Sequence, residues 1–329
     1  MIGGWALAYF AEAGSGSFTG IDKDSAAALF AGLLANPGRL LAWHSVFMLL
    51  TVGVVAMGVS TGLERATKLM MPALGVILLV MVGYGTTTGS FGAAVDYLFS
   101  PDWSKLDGTV VLAALGHAFF TLSLGMGVMI AYGSYLRQDI DLVRAAATVA
   151  VADTTIALTA GLAIFPIVFA NGLDPSSGPG LVFVTLPLAF GIGVLFFALL
   201  IFAALTSSIS LLEPVVELLE ERTPMGRIAS SVVAGLATWA LGIAALLSFN
   251  AWSDVLIFGQ NIFDLLDKLT SKFLLPACGL GAIVFVAWFL DRESVRKDLD
   301  LGPVGFGIWN VLARYVAPAG VIAVFWGSL

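Results

Sequence analysis

One carboxylate lies inside an apolar stretch that is long enough to be a membrane helix. Asp153 follows Arg144 by nine residues, which is about 13 Å along a helix. Ionisable side chains at this depth are energetically costly and commonly bind an ion, a proton or a partner charge. Asp153 is therefore a candidate cation ligand. The alternative is a neutral carboxylic acid that is hydrogen-bonded to the hydroxyl of Thr154 or Thr155.

Glycines and hydroxyls interrupt a second apolar stretch, Gly116–Gly127 (GHAFFTLSLGMG). Glycine lowers helix propensity, and a broken helix at membrane depth is tolerated only where it lines a cavity or is buried in protein. The freed carbonyl groups of such a break can coordinate Na⁺ or H⁺, and the helix ends can face an anionic group. The sequence therefore predicts a broken helix at a binding site. Close helix packing through small residues is the alternative.

A third stretch, Ala203–Ser210 (AALTSSIS), carries four hydroxyl groups. Hydroxyl and carbonyl oxygens suit a hard cation, although Ser and Thr in membrane helices often bond to their own backbone or to a neighbouring helix instead. Together the three stretches predict a site for a cation and a small solute.

Composition indicates what kind of elements position these residues. Hydrophobic residues make up 59% of the 329-residue chain and charged residues 11%, with a mean hydropathy of +0.99, whereas soluble domains carry roughly 25% charged residues. The chain is therefore predicted to be a polytopic α-helical membrane protein. A net charge of −7 without a basic run argues against nucleic-acid binding. A single cysteine, Cys278, and two separated histidines, His44 and His117, argue against disulfides and metal clusters.

Long apolar runs with few charges predict nine membrane helices, because a bilayer core needs roughly 20 mostly apolar residues per helix. The predicted spans are residues 1–13, 40–60, 69–89, 109–135, 143–171, 190–219, 228–250, 269–290 and 306–328. Polar segments at 14–37, 96–107 and 171–180 are predicted to be loops. The first span is short, which favours a chain that begins inside a helix over a cleaved signal peptide.

Basic residues predict the orientation, because cytoplasmic loops are enriched in Lys and Arg. If the spans alternate, ten of the 15 basic residues lie on one side of the membrane. These are Arg65, Lys68, Arg137, Arg144, Arg222, Arg227, Arg292, Arg296, Lys297 and Arg314. The distribution predicts a multi-pass protein of the cell's inner (cytoplasmic) membrane whose first loop is outside.

The stretch Phe119–Gly127 (FFTLSLGMG), followed by Tyr132–Tyr135 (YGSY), resembles the sixth transmembrane helix of the neurotransmitter:sodium symporter family, bacterial amino-acid branch. Further segments resemble the family in its own order: GLERATKLMMP at 62–72, DTT at 153–155, GLAIFP at 161–166, GPGLVFVTLP at 178–187, LTSS at 205–208 and FDLLD at 263–267. The resemblance covers essentially the whole chain.

This resemblance implies an all-α polytopic membrane protein with the inverted-repeat, LeuT-like sodium symporter fold. The predicted spans correspond to family helices three to eleven, without the first two helices. Residues 1–108 would be the remainder of the first repeat, 109–290 the second repeat and 306–328 an additional C-terminal helix, all in a single transporter domain, 1–329.

By position, the resemblance implies a solute pocket, two Na⁺ sites and two gates. The pocket would include Phe120, Thr121, Ser123 and Met126, with Ser207 and Leu211 on a second wall. The first Na⁺ site would retain Thr121 and Asp153, and the second would retain the Ala203 carbonyl with the Thr206 and Ser207 hydroxyls. Asp267 resembles the extracellular gate acid, and Tyr135 with Glu221 the cytoplasmic gate.

The implied function is Na⁺-coupled symport of a small solute, an amino acid, by alternating access, with residues 181–188 as part of an extracellular lid. Chloride-dependent relatives carry a neutral residue where this chain has Asp153, so the resemblance implies that chloride is not required. The apolar residues Phe120, Met126 and Leu211 favour a hydrophobic or aromatic amino acid.

Two other hypotheses for the function remain open. One is a non-transporting fragment or scaffold subunit that needs a separate partner to supply the missing helices. The other, a membrane enzyme, is disfavoured because no His-Glu-x-x-His or Gly-x-Ser-x-Gly motif occurs, and no Walker-type loop indicates nucleotide use. The expected partners are the solute and membrane lipid, not nucleic acid. A homodimer is compatible with the apolar surface.

Overall fold

The computed structural model describes residues 1–137, 139–175, 181–185, 187 and 193–327, and these form helices and turns without a β-strand. The helices are α1 (Ile2–Gly14), α2 (Lys23–Leu34), α3 (Pro37–Ala56), α4 (Glu64–Gly85), α5 (Phe91–Phe99), α6 (Gly108–Thr121), α7 (Val128–Ser134), α8 (Leu142–Ala170), α9 (Gly193–Arg222), α10 (Arg227–Leu247), α11 (Ile262–Lys268), α12 (Leu275–Val284), α13 (Arg292–Leu299), α14 (Pro303–Val311) and α15 (Ala317–Gly327). Wider π-helical turns occur at Val59–Leu63, Leu181–Thr185, Leu269–Leu274, Phe285–Phe289 and Leu312–Val316, and a 3-10 turn at Trp103–Lys105.

Seven helical segments of the described chain are long and apolar enough to cross a membrane. They are Pro37–Ala56, Val59–Gly85, Leu142–Ala170, Gly193–Arg222, Arg227–Leu247, Ile262–Phe289 and Pro303–Phe325. Each corresponds to one of the nine predicted spans. The other two predicted spans are also helical but shorter, because α1 has 13 residues and the span at 109–135 is divided into α6 and α7.

The predicted loop at 14–37 was wrong in part, because it contains the 12-residue helix α2. Asp22 caps this helix by accepting a hydrogen bond from the Ser25 backbone N–H at 2.8 Å, which satisfies one of the unpaired donors of the first turn. The predicted loop at 96–107 likewise contains the end of α5. Capping residues and a short apolar run are enough to form helices that are too short to span a bilayer.

The helices form two compact units. The first unit contains residues 1–101 and 157–263, and the second contains residues 102–156 and 264–329. The long helix α8 contributes to both units. The assignment of residues 1–108 and 109–290 to two repeats stays a prediction.

The core of the first unit is an aromatic cluster around α1. Trp5 and Tyr9 lie one turn apart and are buried. The ring of Phe183 lies edge-on to both, with centroid distances of 5.6 and 5.2 Å, and Phe30 of α2 stacks on it at 5.3 Å. Aromatic pairs in these geometries stabilise a contact beyond the area that they bury. The turn at 181–185 is therefore anchored to α1 and α2 by one buried ring.

Candidate functional site

The predicted break in the fourth span is present between α6 and α7. α6 ends at Thr121 and α7 begins at Val128. Between them the backbone turns with positive φ values of 54° at Ser123, 85° at Gly125 and 79° at Gly127. Such values are strained for residues with side chains and ordinary for glycine. The glycine pattern therefore locates the break, and Ser123 is the one non-glycine residue that adopts this conformation within it.

The break packs tightly against α12 of the same unit. A Cβ at Gly125 would overlap the Leu275 carbonyl oxygen and would lie 2.9 Å from the Gly279 backbone nitrogen. Gly279 in turn leaves space for the Phe119 ring, whose Cε1 atom would be 2.7 Å from a Cβ there. Small residues thus allow close packing as well as a break, so the two interpretations of this stretch are compatible.

The predicted pocket residues of the second unit lie together at this break. Thr121 is the last residue of α6, and Ser123 and Met126 follow it; all three are half-buried. Phe120 is 54% exposed, so its ring is available for contact with a ligand. The Thr121 hydroxyl donates to the Ala118 carbonyl at 3.4 Å, which is long for an O–H···O bond and leaves its oxygen available to a cation.

Asp153 lies in the interior of α8, a 29-residue helix that qualifies as a membrane span. The carboxylate is half-buried and has no hydrogen-bond or ion-pair partner among the described residues. The Thr154 hydroxyl donates to the Ala150 carbonyl at 3.0 Å, and the Thr155 hydroxyl to the Val151 carbonyl at 2.7 Å. The structure therefore gives no support to a carboxylic acid held by these hydroxyls, the alternative considered for Asp153.

The hydroxyl-rich stretch of α9 divides into two faces of the helix. Thr206 and Ser207 follow Ala203 by three and four residues, and Leu211 follows Ser207 by four, so these residues lie along one side of the helix. Ser207 is exposed and has no hydrogen-bond partner in the described part of the chain, and Leu211 is exposed as well. This face carries oxygen atoms that are not used for packing.

Thr206 is partly satisfied by its own helix, because its hydroxyl donates to the Phe202 and Ala203 carbonyls at 2.9 and 3.0 Å. A different face contacts α3, where the Ser208 hydroxyl lies 2.9 Å from that of Thr51. Neighbouring serines therefore have different roles: Ser208 joins two helices, and Ser207 remains available to a ligand.

The predicted gate residues are all exposed. Asp267 lies near the end of α11, and its carboxylate accepts a bond from the Ser271 hydroxyl at 3.4 Å. Tyr135 follows the last residue of α7, and Glu221 lies in the last turn of α9. Only residues 181–185 and 187 of the predicted lid at 181–188 are described; residues 186 and 188 lie outside the described chain.

The sites are distributed over both units. The residues of α6, α8 and the break, including Thr121 and Asp153, belong to the second unit, and those of α9 belong to the first.

Sequence reasoning missed a buried ion-pair network in the first unit. The Glu213 side chain is 0% exposed and pairs with Arg227, the first residue of α10. Arg227 also pairs with Glu220 at 3.1 Å and donates from Nε to the Val55 carbonyl at 3.0 Å. A charge at 213 inside the predicted span 190–219 was the available signal, because buried charges require partners.

Comparison with known proteins gives matches over most or all of the chain. The profile of the sodium:neurotransmitter symporter family matches residues 28–329. An uncharacterized sodium-dependent transporter of Bacillus subtilis is 37% identical over 99% of this chain and 74% of its own length. An uncharacterized sodium-dependent transporter of Haemophilus influenzae is 33% identical over 100% of this chain and 75% of its own length. The crystal structure of MhsT in complex with L-phenylalanine has a TM-score of 0.90, 40% sequence identity, and coverage of 100% of this chain and 77% of that one.

Proposed function

Because the chain belongs to the sodium:neurotransmitter symporter family, we propose that it carries an amino acid together with Na⁺ across the cytoplasmic membrane by alternating access. It is a multi-pass, sodium-dependent transporter with the LeuT-like fold and not an enzyme.

The observation that carries the proposal is the broken helix between α6 and α7. Its turn leaves Thr121 with only a long hydrogen bond at a point where positive φ values redirect the backbone. Transporters use such breaks to bring carbonyl groups and helix ends to a substrate.

Two sets of oxygen atoms support Na⁺ as the coupled ion. Thr121 and Asp153 offer a hydroxyl and a carboxylate in the second unit, and Ala203, Thr206 and Ser207 offer a carbonyl and two hydroxyls in the first. Oxygen ligands of this kind suit hard cations. We propose two Na⁺ sites and no chloride requirement, because the Asp153 carboxylate supplies the negative charge.

The solute is proposed to be a hydrophobic or aromatic amino acid. Phe120 of the second unit and Leu211 of the first are exposed apolar side chains at positions that the family resemblance assigns to the solute, and Met126 is a flexible side chain that can adapt to different shapes. The similarity to MhsT, which was crystallised with L-phenylalanine, is consistent with this proposal.

Uptake by proteoliposomes tests the proposal. An inward Na⁺ gradient should drive accumulation of labelled phenylalanine or leucine above the equilibrium level, and replacing chloride by gluconate should leave the rate unchanged. Asp153→Ala and Thr206→Ala should abolish accumulation. Asp254→Ala, which removes an exposed carboxylate from a turn, is the matched control and should transport normally.

The competing interpretation is a subunit that requires a partner. It predicts no accumulation by this chain alone, and accumulation once the first two helices of a relative are co-expressed. Accumulation that is independent of Na⁺, with or without those helices, would contradict the proposed coupling.

A further inference from the structure

Two membrane spans of the second unit are joined through one arginine. Arg314 lies in the π-helical turn between α14 and α15, and its Nε donates to the Ala287 carbonyl at 2.7 Å. Ala287 lies in the π-helical turn that ends the neighbouring span at Phe289. The last carbonyls of a helix have no partner within it, and a cation there is electrostatically favourable.

This contact uses only part of the guanidinium group. The Arg314 Cζ atom lies over the Trp288 ring, 5.5 Å from its centroid, which is a cation–π arrangement. A guanidinium has five N–H donors in a planar fork, and Nε accounts for one of them. Arg314 has no carboxylate partner among the described residues. Its terminal nitrogens therefore remain able to bind an anion.

The surface around this guanidinium is aromatic and exposed. Trp288 is 54%, Tyr315 59% and Phe289 76% exposed, and the Trp288 and Tyr315 rings are in edge contact at 6.2 Å. Trp and Tyr are enriched at the boundary between the hydrocarbon core and the lipid headgroups. The span ends at Phe289, and the exposed, polar Asp291 begins the connection that follows. The Ala287 carbonyl that Arg314 contacts lies two residues before the end of its span. The Arg314 guanidinium is therefore near the headgroups, although Arg314 is itself the twelfth of the 23 residues of the span Pro303–Phe325, because long arginine side chains extend towards the interface.

We propose that Arg314, Trp288 and Tyr315 form a binding site for the phosphate of an anionic phospholipid in the leaflet on this side of the membrane. The basic-residue distribution predicts that this is the cytoplasmic leaflet, where anionic lipids attract basic groups. Planar arginine binds phosphate through two parallel hydrogen bonds, while the exposed rings contact the upper part of the acyl chains.

A lipid is favoured over a free phosphate because this surface combines a cationic group with exposed aromatic rings. A free anion would need only the guanidinium, whereas the exposed rings of Trp288 and Tyr315 beside it match a molecule with both a phosphate and hydrocarbon. The neighbouring segment 291–300, which contains α13, adds no net attraction, since its three basic residues are accompanied by four acidic ones. The specific attraction therefore comes from Arg314.

Native mass spectrometry of the purified protein provides the test. Wild type, Arg314→Gln and Arg65→Gln are titrated with phosphatidylglycerol and with phosphatidylcholine. Arg65 is exposed at the start of α4 and lies on the same predicted side, so it controls for charge alone. We expect Arg314→Gln to weaken phosphatidylglycerol binding about fivefold, the equivalent of about 1 kcal/mol for one basic residue near a membrane surface. Arg65→Gln and phosphatidylcholine binding should be unchanged.

A second variant and a competition arm complete the test. Trp288→Leu keeps the bond from Arg314 to Ala287 but removes the indole, and it should also weaken phosphatidylglycerol binding. It keeps the test decisive if Arg314→Gln does not fold. Equal binding in wild type, Arg314→Gln and Trp288→Leu would overturn the proposal. Displacement of the lipid by millimolar inorganic phosphate would also overturn it, since it would identify a free-anion site.

Discussion

Gly125, in the break between α6 and α7, lies directly against the Leu275 carbonyl oxygen of α12, with a backbone φ of +85°. The contact leaves no space for a side chain, and the neighbouring Gly279 nitrogen would be 2.9 Å from a Cβ at this position. The shape of the candidate site therefore depends on a contact between backbone and backbone that only glycine permits.

Gly125→Ala should destabilise the protein and abolish transport. The positive φ alone costs about 1–3 kcal/mol for a residue with a side chain, and a rigid backbone cannot move aside as a side chain can. Thermal melting in detergent and Na⁺-driven uptake measure the two effects.

Gly133→Ala is the matched control for this prediction. Gly133 lies within α7, and a Cβ there would meet nothing within 4 Å, so alanine should leave uptake intact and raise helix stability by up to about 1 kcal/mol. If Gly125→Ala melts at the same temperature as wild type, the prediction is wrong, because the break can then adopt another conformation.

Glu213→Gln should destabilise the first unit strongly. Glu213 is fully buried and pairs with Arg227, and removing one partner of a buried ion pair costs about 3–5 kcal/mol. The double variant Glu213→Leu with Arg227→Met should recover part of this loss, because no unpaired charge then remains buried at position 213 or 227.

Glu64→Gln is the control for the buried pair, because Glu64 also forms an ion pair, with Lys68 at 2.6 Å, but both side chains are more than half exposed. Exposed ion pairs contribute little to stability, so the melting temperature of Glu64→Gln should equal that of wild type. Equal melting temperatures for Glu213→Gln and Glu64→Gln would contradict the prediction.

Ser207→Ala and Ser208→Ala should have different effects although the residues are adjacent. The Ser207 hydroxyl is exposed and without a partner in the described chain, so its removal should raise the Na⁺ concentration for half-maximal uptake about tenfold, as expected for a hydrogen-bond-strength contact with a charge. The melting temperature of Ser207→Ala should equal that of wild type.

Ser208→Ala removes the contact with Thr51 of α3 and should lower stability by about 0.6 kcal/mol, a typical value for a polar contact between membrane helices. Its Na⁺ dependence should be unchanged. The assignment of the two faces fails if Ser208→Ala alters the Na⁺ dependence and Ser207→Ala does not.

Asp107 should make the stability of α6 dependent on pH. Its carboxylate accepts bonds from the Thr109 hydroxyl at 2.6 Å and the Val110 N–H at 2.9 Å. The bond from the Thr109 side chain is the main reason why the pKa of Asp107 is lowered. A lowered pKa means that the stabilisation is complete above the ordinary aspartate range and is lost as the pH falls through the folded-state pKa.

Asp107→Ala should therefore melt below wild type at neutral pH, and the difference should shrink under acidic conditions. Melting curves from neutral to strongly acidic pH measure it, with Asp254→Ala as a control that removes an exposed aspartate away from the cap. A difference that stays constant over this range would exclude a role for the ionised cap.

Much of the fold follows from local sequence. Long apolar runs with few charges predicted the seven long apolar helices, because a bilayer core requires their length and composition. Glycines at 125 and 127 predicted the break, because local backbone energetics disfavour helix there. Family motifs extended the prediction to the fold, and the match to residues 28–329 confirmed the family.

The sequence by itself determined the membrane helices, the break and the residue types available to bind a cation. Tertiary structure decided which of those residues are used for packing, because adjacent residues of one helix face different neighbours. Thus Ser208 contacts Thr51, while Ser207 has no hydrogen-bond partner among the described residues. Glu213 is buried and pairs with Arg227, which lies 14 residues away in sequence. Hydrophobic periodicity carries little of this information in a membrane protein, since lipid-facing and protein-facing surfaces are both apolar. The identity of each side chain's partner is therefore decided only when the helices pack.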